Sequence, residues 1–552
     1  MKKNLLLLML LSVCLYSQTK GQVSNTRDLK NKQKDAAENK NKLTPYLNMQ
    51  ELRRGKADTA GIVFINEGLK SGIFKYNSKN VNAVDDSSMV IRVGNRRYER
   101  IYTTIMPEYF GANPNDNLDD GPAIQKALNS ATEKGIKIVF SEGTYISSVV
   151  LVPKVVVPTP VFAYRLTMEG AGAGLTKIKS IHSQDLIQMI KGQTSFVGRE
   201  SDIVIKDIHL DANNMAAHCI RANHIAGLKL IDCKFTGATQ SNLKIGELQS
   251  ENFGVDIIRC YSGGKTINEG HNNAGVELVN SRYVYIDRLT TDGSKYGIYM
   301  DGSDKGFITN CHLEGNKEAS IFITGTGGGE HKISNNMLMP YVQYETSAKF
   351  DGIIQGIHIE GSKGGSCGNI INGNIFLVPD SKTLPFKSII SQPNKSIRAH
   401  PIYTITGTTS SAKGILLGYD ASTKKMLIEV SSGTFKPGEV IKQATTGGTA
   451  TLGEVIPSLS IGISLSGSSE SNVISNNQIR MNPAYGLYIK TNNNIISNNN
   501  IEANNAIYKD ASFAIIMGNI LNSKGNKALN NVSGKIESVG NQFFGEVIDL
   551  VK

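Results

Sequence analysis

The strongest constraint on the fold is an internal repeat that starts near Arg165 and recurs with a period of roughly 20 to 28 residues. Each repeat holds one short strand of the form Gly-Ile-x-Ile and, after a turn, a second short strand. The first strand recurs at 218–222, 242–245, 275–278, 297–300, 320–323, 356–359, 462–465 and 486–489. Because one such unit cannot bury its own apolar face, the units must stack on one another, and the pattern predicts a solenoid.

A helix with clear start and stop signals precedes the repeat. In the segment 109–146, YFGANPNDNLDDGPAIQKALNSATEKGIKIVFSEGTYI, Asp119 and Asp120 lie where an N-cap belongs and Pro122 falls in the first turn. Gly135 suits the end of the helix, and an alternating strand follows it. We therefore predict a helix over Asp120–Lys134.

This order of elements, with MEGAGAGLTKI at 168–178, closely resembles the N-terminal cap and first rung of the pectate-lyase-like right-handed β-helix proteins. The usual form of their cap is FGA, then DDTxAIQxAL, then GGxVxFPxGTY. The resemblance implies an all-β fold, namely a right-handed parallel β-helix of about ten rungs with an N-terminal capping helix and a small inserted β-module. It does not fix the reaction, because this fold carries lyases, hydrolases, epimerases and phage adhesins.

The chain divides into several segments by composition and pattern. We predict a signal peptide at 1–22, a flexible basic linker at 23–56, an N-terminal β segment at 57–105 and the parallel β-helix at 106–552, interrupted by a small β insertion at 385–457. Val13 stands before Cys14 where a lipid anchor wants a small residue, which disfavours a surface lipoprotein. No later segment is apolar enough to cross a membrane. The expected location is therefore secreted or periplasmic.

The basic charge of the chain says little about its partners. Most of the net charge of +11 lies in residues 1–56, which is typical of a solvated tether. No part of the sequence interleaves basic and aromatic residues as a nucleic-acid surface would, so we predict no nucleic-acid partner. The expected partner is an acidic polysaccharide substrate, and the sequence leaves the oligomeric state open.

Cysteines and asparagines recur at fixed places in the repeat. Cys233, Cys260 and Cys311 share one sequence context, which predicts a buried stack of thiols rather than disulfides or a metal site. Asn-Asn pairs at 335–336, 476–477 and 498–499 fall at the same turn. We expect their stacked side chains to satisfy backbone groups of the turn.

Alternation along the first strand of each repeat predicts one exposed column of side chains. If Ile220, Val276 and Ile298 point inward, the residue after each points outward. The outward column then contains Arg221, Lys244, Glu277, Tyr299, Phe322, His358, Ser464 and Tyr488. The predicted rim and neighbours of this column are His218, His271, Asn273, Lys295, Asp301 and the loop 339–351.

A polysaccharide lyase is the first hypothesis for this column, and it follows the fold resemblance. β-Elimination from a uronic acid needs a cation to neutralise the carboxyl group, a base for the C5 proton and an acid for the departing oxygen. Arg221 and Lys244 suit the first role. Lys244, Tyr299 and His358 are the candidate proton-transfer groups, with Glu277 as a further catalytic candidate. The expected substrate is a glycosaminoglycan, pectin or alginate type of polymer.

Two alternatives stay open. A glycoside hydrolase would use Glu277 and Asp301, whose spacing of roughly 8 Å falls in the inverting range. The NTD, Asp-Asp, GHG and RIK signatures of the polygalacturonase-like members are missing, however. A non-catalytic, phage-like carbohydrate-binding adhesin also fits the repeat. We expect no essential cofactor or metal, although calcium is possible, since the column offers only two carboxylates as hard oxygen ligands.

Overall fold

A computed structural model describes most of the chain. The described residues are 43–55, 61–154, 165–190, 202–248, 251–264, 273–326, 329–340, 353–361, 367–380, 386–393, 397, 403–420, 424–456 and 458–549. The signal peptide prediction (1–22), His271 and most of the loop 339–351 lie outside this set. The chain forms two compact units, 1–102 and 103–552, which are described separately.

The first unit is a small mixed sheet with one short helix, Met49–Arg54. Its five strands, in spatial order, are Leu43–Tyr46, Ile62–Ile65, Gly72–Tyr76, Arg96–Arg100 and Val90–Val93, and a 3-10 turn covers Gly68–Lys70. Leu52 of the helix packs with Val63, Phe74 and Tyr98 in its apolar core. The prediction of a flexible linker that extends to residue 56 is therefore wrong for residues 43–55, because Tyr46, Met49 and Leu52 supply apolar contacts that a linker lacks.

In the second unit, thirty-four strands of the described residues form one continuous sheet that coils into a parallel β-helix. Its strands stack in three faces. The groove face contains Ile187–Ile190, Ile220–Asn223, Ser241–Ile245, Ala274–Val279, Tyr296–Asp301, Ala319–Gly325, Ile353–Gly361, Leu459–Gly467, Tyr485–Ile489 and the first part of Asn505–Met517. The all-β, parallel β-helix fold is thus confirmed.

The other two faces hold shorter strands. The second face contains Ile138–Val139, Arg165–Glu169, Asp202–Lys206, Ala226–Ile231, Asn252–Ile258, Ser281–Asp287, Phe307–Thr309, Lys332–Ser334, Ile370–Asn372, Val473–Ser475 and Asn494–Ser497. The third face contains Gly143–Ser147, Thr176–Ser180, His209–Asp211, Lys234–Thr236, Tyr261–Gly263, Thr290–Asp292, His312–Glu314, Met337–Met339, Ile375–Leu377, Gln478–Arg480, Asn500–Glu502 and the first parts of Ile520–Val539 and Gln542–Asp549, which continue onto the other faces.

The core of the β-helix is a set of inward aliphatic columns. The inward residues predicted from alternation on the groove face are all fully buried: Ile220, Leu243, Val276, Ile298, Ile321, Ile357, Ile463 and Leu487. Parallel pairing places each of them directly beside the next, as in Ile298 beside Ile321. Burial of such side chains stabilises each rung by roughly 1.5–3 kcal/mol per residue.

The helix Gly121–Lys134 packs on strands of the first rungs, including Gly143–Ser147 and Arg165–Glu169. Its predicted capping residues act differently from the expectation. The carboxylate of Asp120 accepts hydrogen bonds from the backbone N–H groups of Asn113 (2.7 Å) and Ile146 (3.1 Å), so it ties the helix start to a strand. The neighbouring Asp119 supplies the local cap, because its Oδ1 accepts from the Gly121 N–H at 3.0 Å.

One turn column changes its chemistry along the β-helix. In earlier rungs it holds the buried, unpaired thiols of Cys233, Cys260 and Cys311, as predicted. From Asn336 onward it is an asparagine ladder, in which each side-chain N–H₂ donates to the next side-chain oxygen at 2.9–3.0 Å. The ladder runs through Asn336, Asn374, Asn477, Asn499, Asn519 and Asn541. The structural interpretation of the Asn-Asn pairs is confirmed.

The residue before each ladder position has a left-handed backbone. Asn335, Asn476 and Asn498 have φ of 58°, 55° and 55°, and the corresponding glycines at 373 and 518 have φ of 69° and 63°. Asparagine and glycine tolerate this conformation better than other residues do. This requirement explains why the turn reads Asn-Asn or Gly-Asn in the sequence.

The insertion forms a closed six-stranded antiparallel barrel. Its strands are Phe386–Ser391, Thr404–Gly407, Lys413–Asp420, Lys425–Ser432, Val440–Gln443 and Thr449–Ile456. The barrel has its own apolar core, which includes Phe386 and Ile405. Leu417 and Leu427 on the barrel pack against Ile354, so the insertion is anchored at the start of the groove-face strand Ile353–Gly361.

In the described residues, no helix is long and apolar enough to span a membrane.

Candidate functional site

The outward column on the groove face lies in continuous register. Parallel pairing places Arg221 beside Lys244, Lys244 beside Glu277, and Glu277 beside Tyr299. The column runs in order through Gln188, Arg221, Lys244, Glu277, Tyr299, Phe322, His358, Ser464, Tyr488 and Tyr508, and pairing continues to Asn530 and Ile548. The predicted side chains therefore share one column, and their functional roles remain predictions.

A second row flanks this column three residues earlier in each strand. Tyr296 stacks on Tyr299 with ring centroids 5.4 Å apart, and the Ser241 hydroxyl reaches Glu277. Strict alternation would turn these residues inward. The strands break alternation at the position between the two rows, where a Cβ on Gly297 would meet the Ser320 carbonyl at 2.6 Å. A third row, which includes Asp301, lies two residues after the column.

Part of this face forms a groove of about 500 Å³. Its lining residues come from all of these rows and from the turn after Ser241–Ile245: Arg221, Lys244, Glu247, Leu248, Glu277, Val279, Tyr299 and Asp301. The groove thus gathers both predicted carboxylates, both predicted cations and the Tyr299 phenol at one place.

Glu277 is the most constrained side chain of the groove and is only 8% exposed. Its Oε1 accepts from the Lys244 ammonium at 2.8 Å, and its Oε2 accepts from the Ser241 hydroxyl at 2.5 Å and from the Asn273 amide at 3.3 Å. Burial raises the pKa of Glu277, but the hydrogen bonds from Lys244 and Ser241 outweigh it, so the pKa is lowered from its ordinary value. Glu277 is therefore ionised at neutral pH.

The pKa of Asp301 is shifted in the opposite direction. Burial is the largest cause that raises the pKa of Asp301, and the negative charge of Glu277 raises it further. The hydrogen bond with Tyr299 lowers this pKa by a smaller amount. Burial and the two carboxylates together raise the pKa of Tyr299 to about 12, so the phenol keeps its proton at neutral pH. The groove therefore holds an ionised carboxylate, a carboxyl group whose pKa is raised and a neutral phenol.

The two predicted cations are paired within the groove. The Lys244 ammonium forms an ion pair with Glu277. The Arg221 guanidinium forms an ion pair with Glu247 and lies 3.8 Å from Asp185. Both side chains remain partly exposed, at 33% for Arg221 and 24% for Lys244. They face the groove as positive charges that are already partly neutralised.

His358 lies two rungs beyond Tyr299 and outside the groove. Its ring stacks on Phe322 at 4.7 Å, and its two nitrogens contact Gln355 (3.1 Å) and Ser466 (3.2 Å). Burial lowers the pKa of His358 to about 4, so the imidazole is neutral at neutral pH. The structure brings Phe322 and His358 together with each other, but it separates His358 from the groove carboxylates.

The remaining predicted residues occupy the second row and its edge. His218 is buried, and its Nδ1 lies 2.7 Å from Asp185. Lys295 forms an ion pair with Glu318 at 3.2 Å, at the edge of the face. Tyr488 lies far along the column and stacks on Tyr508. Only Asn273 of the predicted rim residues described here contacts a groove carboxylate.

Sequence reasoning missed Ser241, Glu247 and Asp185. Ser241 could have been found from the glycines at 275 and 297, since glycine inside a strand often marks a break in alternation. Glu247 follows Gly246, whose φ is 93°, in the turn after the strand, and no spacing rule predicts its ion pair.

Within the described residues, no group of three or more His, Cys, Asp or Glu side chains could hold a metal ion.

Comparison with known proteins bears on the family. Residues 108–322 match the family model described as rhamnogalacturonase A/epimerase, pectate lyase-like. Residues 108–322 of this chain are therefore similar to the pectate-lyase-like family. The matched region includes the capping helix and the groove. No curated protein matches the sequence.

Several solved structures are similar to this chain at low identity. The N-terminal fragment of gene product 12 of bacteriophage phi29 is 12% identical, with a TM-score of 0.45, over 80% of this chain and 72% of that one. The mannuronan C-5 epimerase AlgE4 A-module of Azotobacter vinelandii is 11% identical, with a TM-score of 0.38, over 80% and 100%. ORF18 of Geobacillus virus E2 is 12% identical, with a TM-score of 0.36, over 75% and 90%.

Proposed function

We propose that the groove binds and cleaves a polysaccharide chain by hydrolysis, with Glu277 as base and Asp301 as acid. The observation that carries this proposal is that Glu277 and Asp301 line one groove in different surroundings: Glu277 accepts from Lys244 and Ser241, which lowers its pKa, whereas burial raises the pKa of Asp301. Two titratable groups whose environments separate their pKa values can divide the work of base and acid. The match to a rhamnogalacturonase and epimerase family model supports a carbohydrate substrate.

The proposed reaction assigns one step to each carboxyl group. Ionised Glu277 takes a proton from a water molecule, whose oxygen attacks the anomeric carbon. Protonated Asp301 gives its proton to the glycosidic oxygen as the bond to that carbon breaks. A separation of roughly 8 Å, from one rung and two residues of strand, leaves room for the water and predicts inversion at the anomeric centre.

β-Elimination is the second candidate, and the adjacent cations favour it. Arg221 and Lys244 lie on neighbouring rungs and could neutralise the carboxylate of a uronic acid in a glycosaminoglycan, pectin or alginate type of substrate. The base would remove the C5 proton, the electron pair would form the C4–C5 double bond, and the bond to O4 would break. Tyr299, with its pKa raised to about 12, suits protonation of O4 better than proton removal.

The products distinguish these reactions. We would incubate the protein with polygalacturonate, alginate, chondroitin sulfate and neutral galactomannan, and record both reducing ends and the ultraviolet absorbance of an unsaturated uronate. Reducing ends without absorbance support hydrolysis, and both together support the lyase. Neither signal with any polymer contradicts cleavage and favours a binding protein.

Variants of the two carboxyl groups connect the products to the groove. Hydrolysis requires that Glu277→Gln and Asp301→Asn each abolish the release of reducing ends. Glu314→Gln is the matched control, because Glu314 is a partly exposed carboxylate on the third face. If both groove variants keep wild-type rates while Lys244→Ala and Tyr299→Phe are inactive, the hydrolytic assignment is wrong and the lyase takes its place.

A further inference from the structure

We propose that Tyr485, Tyr488, Tyr508 and Lys490 form a second binding site on the same face, which holds the distal part of an extended glycan chain. We call these four residues the tyrosine platform. This inference rests on the proposed function for the class of ligand, and it adds a site that the cleavage chemistry does not require. It implies that the protein binds long chains more tightly than short ones.

The three rings form one cluster across two rungs. Tyr488 and Tyr508 stack with centroids 4.8 Å apart and planes inclined by 11°. Tyr485, in the second row, lies 5.2 Å from Tyr488 and 5.6 Å from Tyr508 at steeper angles. The ammonium of Lys490 lies 5.2 Å from the Tyr488 ring centroid. All three rings are partly exposed and Lys490 is exposed, so the cluster presents phenol groups and one cation to solvent.

The tyrosine platform lies in line with the groove. The column runs from Glu277 through Tyr299, Phe322, His358 and Ser464 to Tyr488, so five rungs separate Glu277 from Tyr488. At the usual spacing of neighbouring strands this is about 24 Å, and Tyr508 is about 29 Å away. A polymer that lies along the column would reach both places, whereas a short oligosaccharide in the groove would not.

The chemistry of the tyrosine platform suits a sugar chain. Tyrosine offers a rigid apolar ring for stacking and a hydroxyl for hydrogen bonds, and the sequence contains no tryptophan for that purpose. Among the described residues, no hydrogen bond is made by the hydroxyl groups of Tyr485 and Tyr508, which leaves them available to a ligand. Ala274 and Ala319 occupy the second row in other rungs, so the fold does not require a tyrosine at that position.

Affinity electrophoresis of the full-length protein tests the site separately from catalysis. We would measure the mobility of wild type and of the Tyr488→Ala/Tyr508→Ala variant in native gels that contain polygalacturonate, alginate, chondroitin sulfate or galactomannan. The polymer concentration that halves the mobility should rise roughly tenfold in the variant for the retarding polymer. Tyr283→Ala is the control, because Tyr283 is 54% exposed and lies on the second face.

The outcomes separate this site from the proposed function. Equal retardation of wild type and the double variant by every polymer overturns the site, whether or not the protein cleaves that polymer. Retardation that weakens in the variant supports the site even if no polymer is cleaved and the proposed function fails. If the double variant does not fold, Tyr508→Phe and Lys490→Ala keep the ring stack, and unchanged retardation of both overturns the site. Absence of wild-type retardation by all four polymers also overturns it.

Discussion

Two parts of the groove face use the same backbone for different purposes. The ionised rungs, which carry Arg221 to Asp301, expose charged groups that hold one another in fixed protonation states. The tyrosine rungs, which carry Ser464 to Tyr508, expose phenol groups. Parallel pairing in register is continuous through both. The difference shows that the β-helix fixes where side chains stand, while the identity of the outward residues decides what each rung can do.

The interiors differ as well. At the turn column, the ionised rungs contain Cys233, Cys260 and Leu289, which are buried and have no side-chain hydrogen-bond ladder; the two thiols donate to backbone carbonyls. The tyrosine rungs contain Asn477 and Asn499, which are linked by side-chain hydrogen bonds. A turn with the same left-handed backbone can therefore be stabilised either by apolar packing or by a polar ladder. The first kind tolerates loss of a single member better, because a polar ladder leaves partners unpaired when it is cut.

The largest expected effect lies in the ionised rungs. Asp301→Asn should lower kcat/KM by roughly 10² to 10⁴, because removal of a positioned proton-transfer group has a cost of this size. Glu277→Gln should lower it as much or more, since it also removes the negative charge that pairs with the Lys244 ammonium. The measurement is initial rate against polymer concentration, with melting temperatures to show that the variants fold.

The Tyr488→Ala/Tyr508→Ala variant tests whether the tyrosine rungs and the ionised rungs have different roles. Its defect should appear in polymer retention rather than in the rate at saturating polymer. A fall in the saturating rate that matches that of Asp301→Asn would show that the two regions do not divide the work as described.

The next largest effect lies in the ladder. Asn477→Ala should lower the free energy of unfolding by roughly 3 kcal/mol, because it leaves the backbone N–H of Asn374 without its acceptor and the Ile371 carbonyl without its side-chain donor. The side-chain amide of Asn374 also loses one of its two acceptors and keeps the Ile333 carbonyl. Chemical denaturation measures this change. Asn500→Ala is the control, since Asn500 is exposed on the adjoining strand. Equal stability of the two variants would show that the ladder adds nothing beyond the packing of the turn.

A pH profile tests how Glu277 is held. In the wild type its lowered pKa keeps Glu277 ionised well into the acidic range. Lys244→Met removes the hydrogen bond that most lowers the pKa, so burial then prevails and the pKa rises. If Glu277 must be ionised, the acid limb of the kcat/KM profile should move to higher pH. Lys332→Met, on the second face, should leave the limb in place.

The alternative result is also informative. A uniform loss of rate in Lys244→Met with an unmoved acid limb would mean that Lys244 acts on the charge of the substrate rather than on Glu277. That outcome favours β-elimination.

Much of this arrangement could be predicted from the sequence, because alternation and the repeat fix the register. Glu277, Tyr299 and His358 therefore fell in one column as expected. Tyr296 and Ser241 did not follow from alternation, since the strands break it at Gly275 and Gly297. The sequence pattern also does not predict which side chains form hydrogen bonds with each other. The bond between Glu277 and Lys244 depends on rotamers across two rungs, and so does the distance of His358 from the groove.

The smallest expected effect tests whether the two kinds of turn column are interchangeable. Cys311 adjoins Asn336, whose Oδ1 accepts from the Cys311 N–H at 2.8 Å, as along the rest of the ladder. An asparagine at 311 could place its amide on that same oxygen, so Cys311→Asn should change the free energy of unfolding by less than about 1 kcal/mol.

Cys260→Asn is the matched comparison, because its neighbours in the column are Cys233 and Leu289, which offer an amide no side-chain oxygen. It should therefore be the more destabilising of the two, by roughly 1 kcal/mol, because its amide lacks the side-chain oxygen of the ladder and has only backbone carbonyls such as that of Leu230, which now accepts from the Cys260 thiol. Denaturation of both variants under reducing conditions gives the two values. If Cys311→Asn is as destabilising as Cys260→Asn, the ladder is not extendable by one rung, and its boundary at Asn336 is set by packing around the thiols rather than by the choice of one side chain.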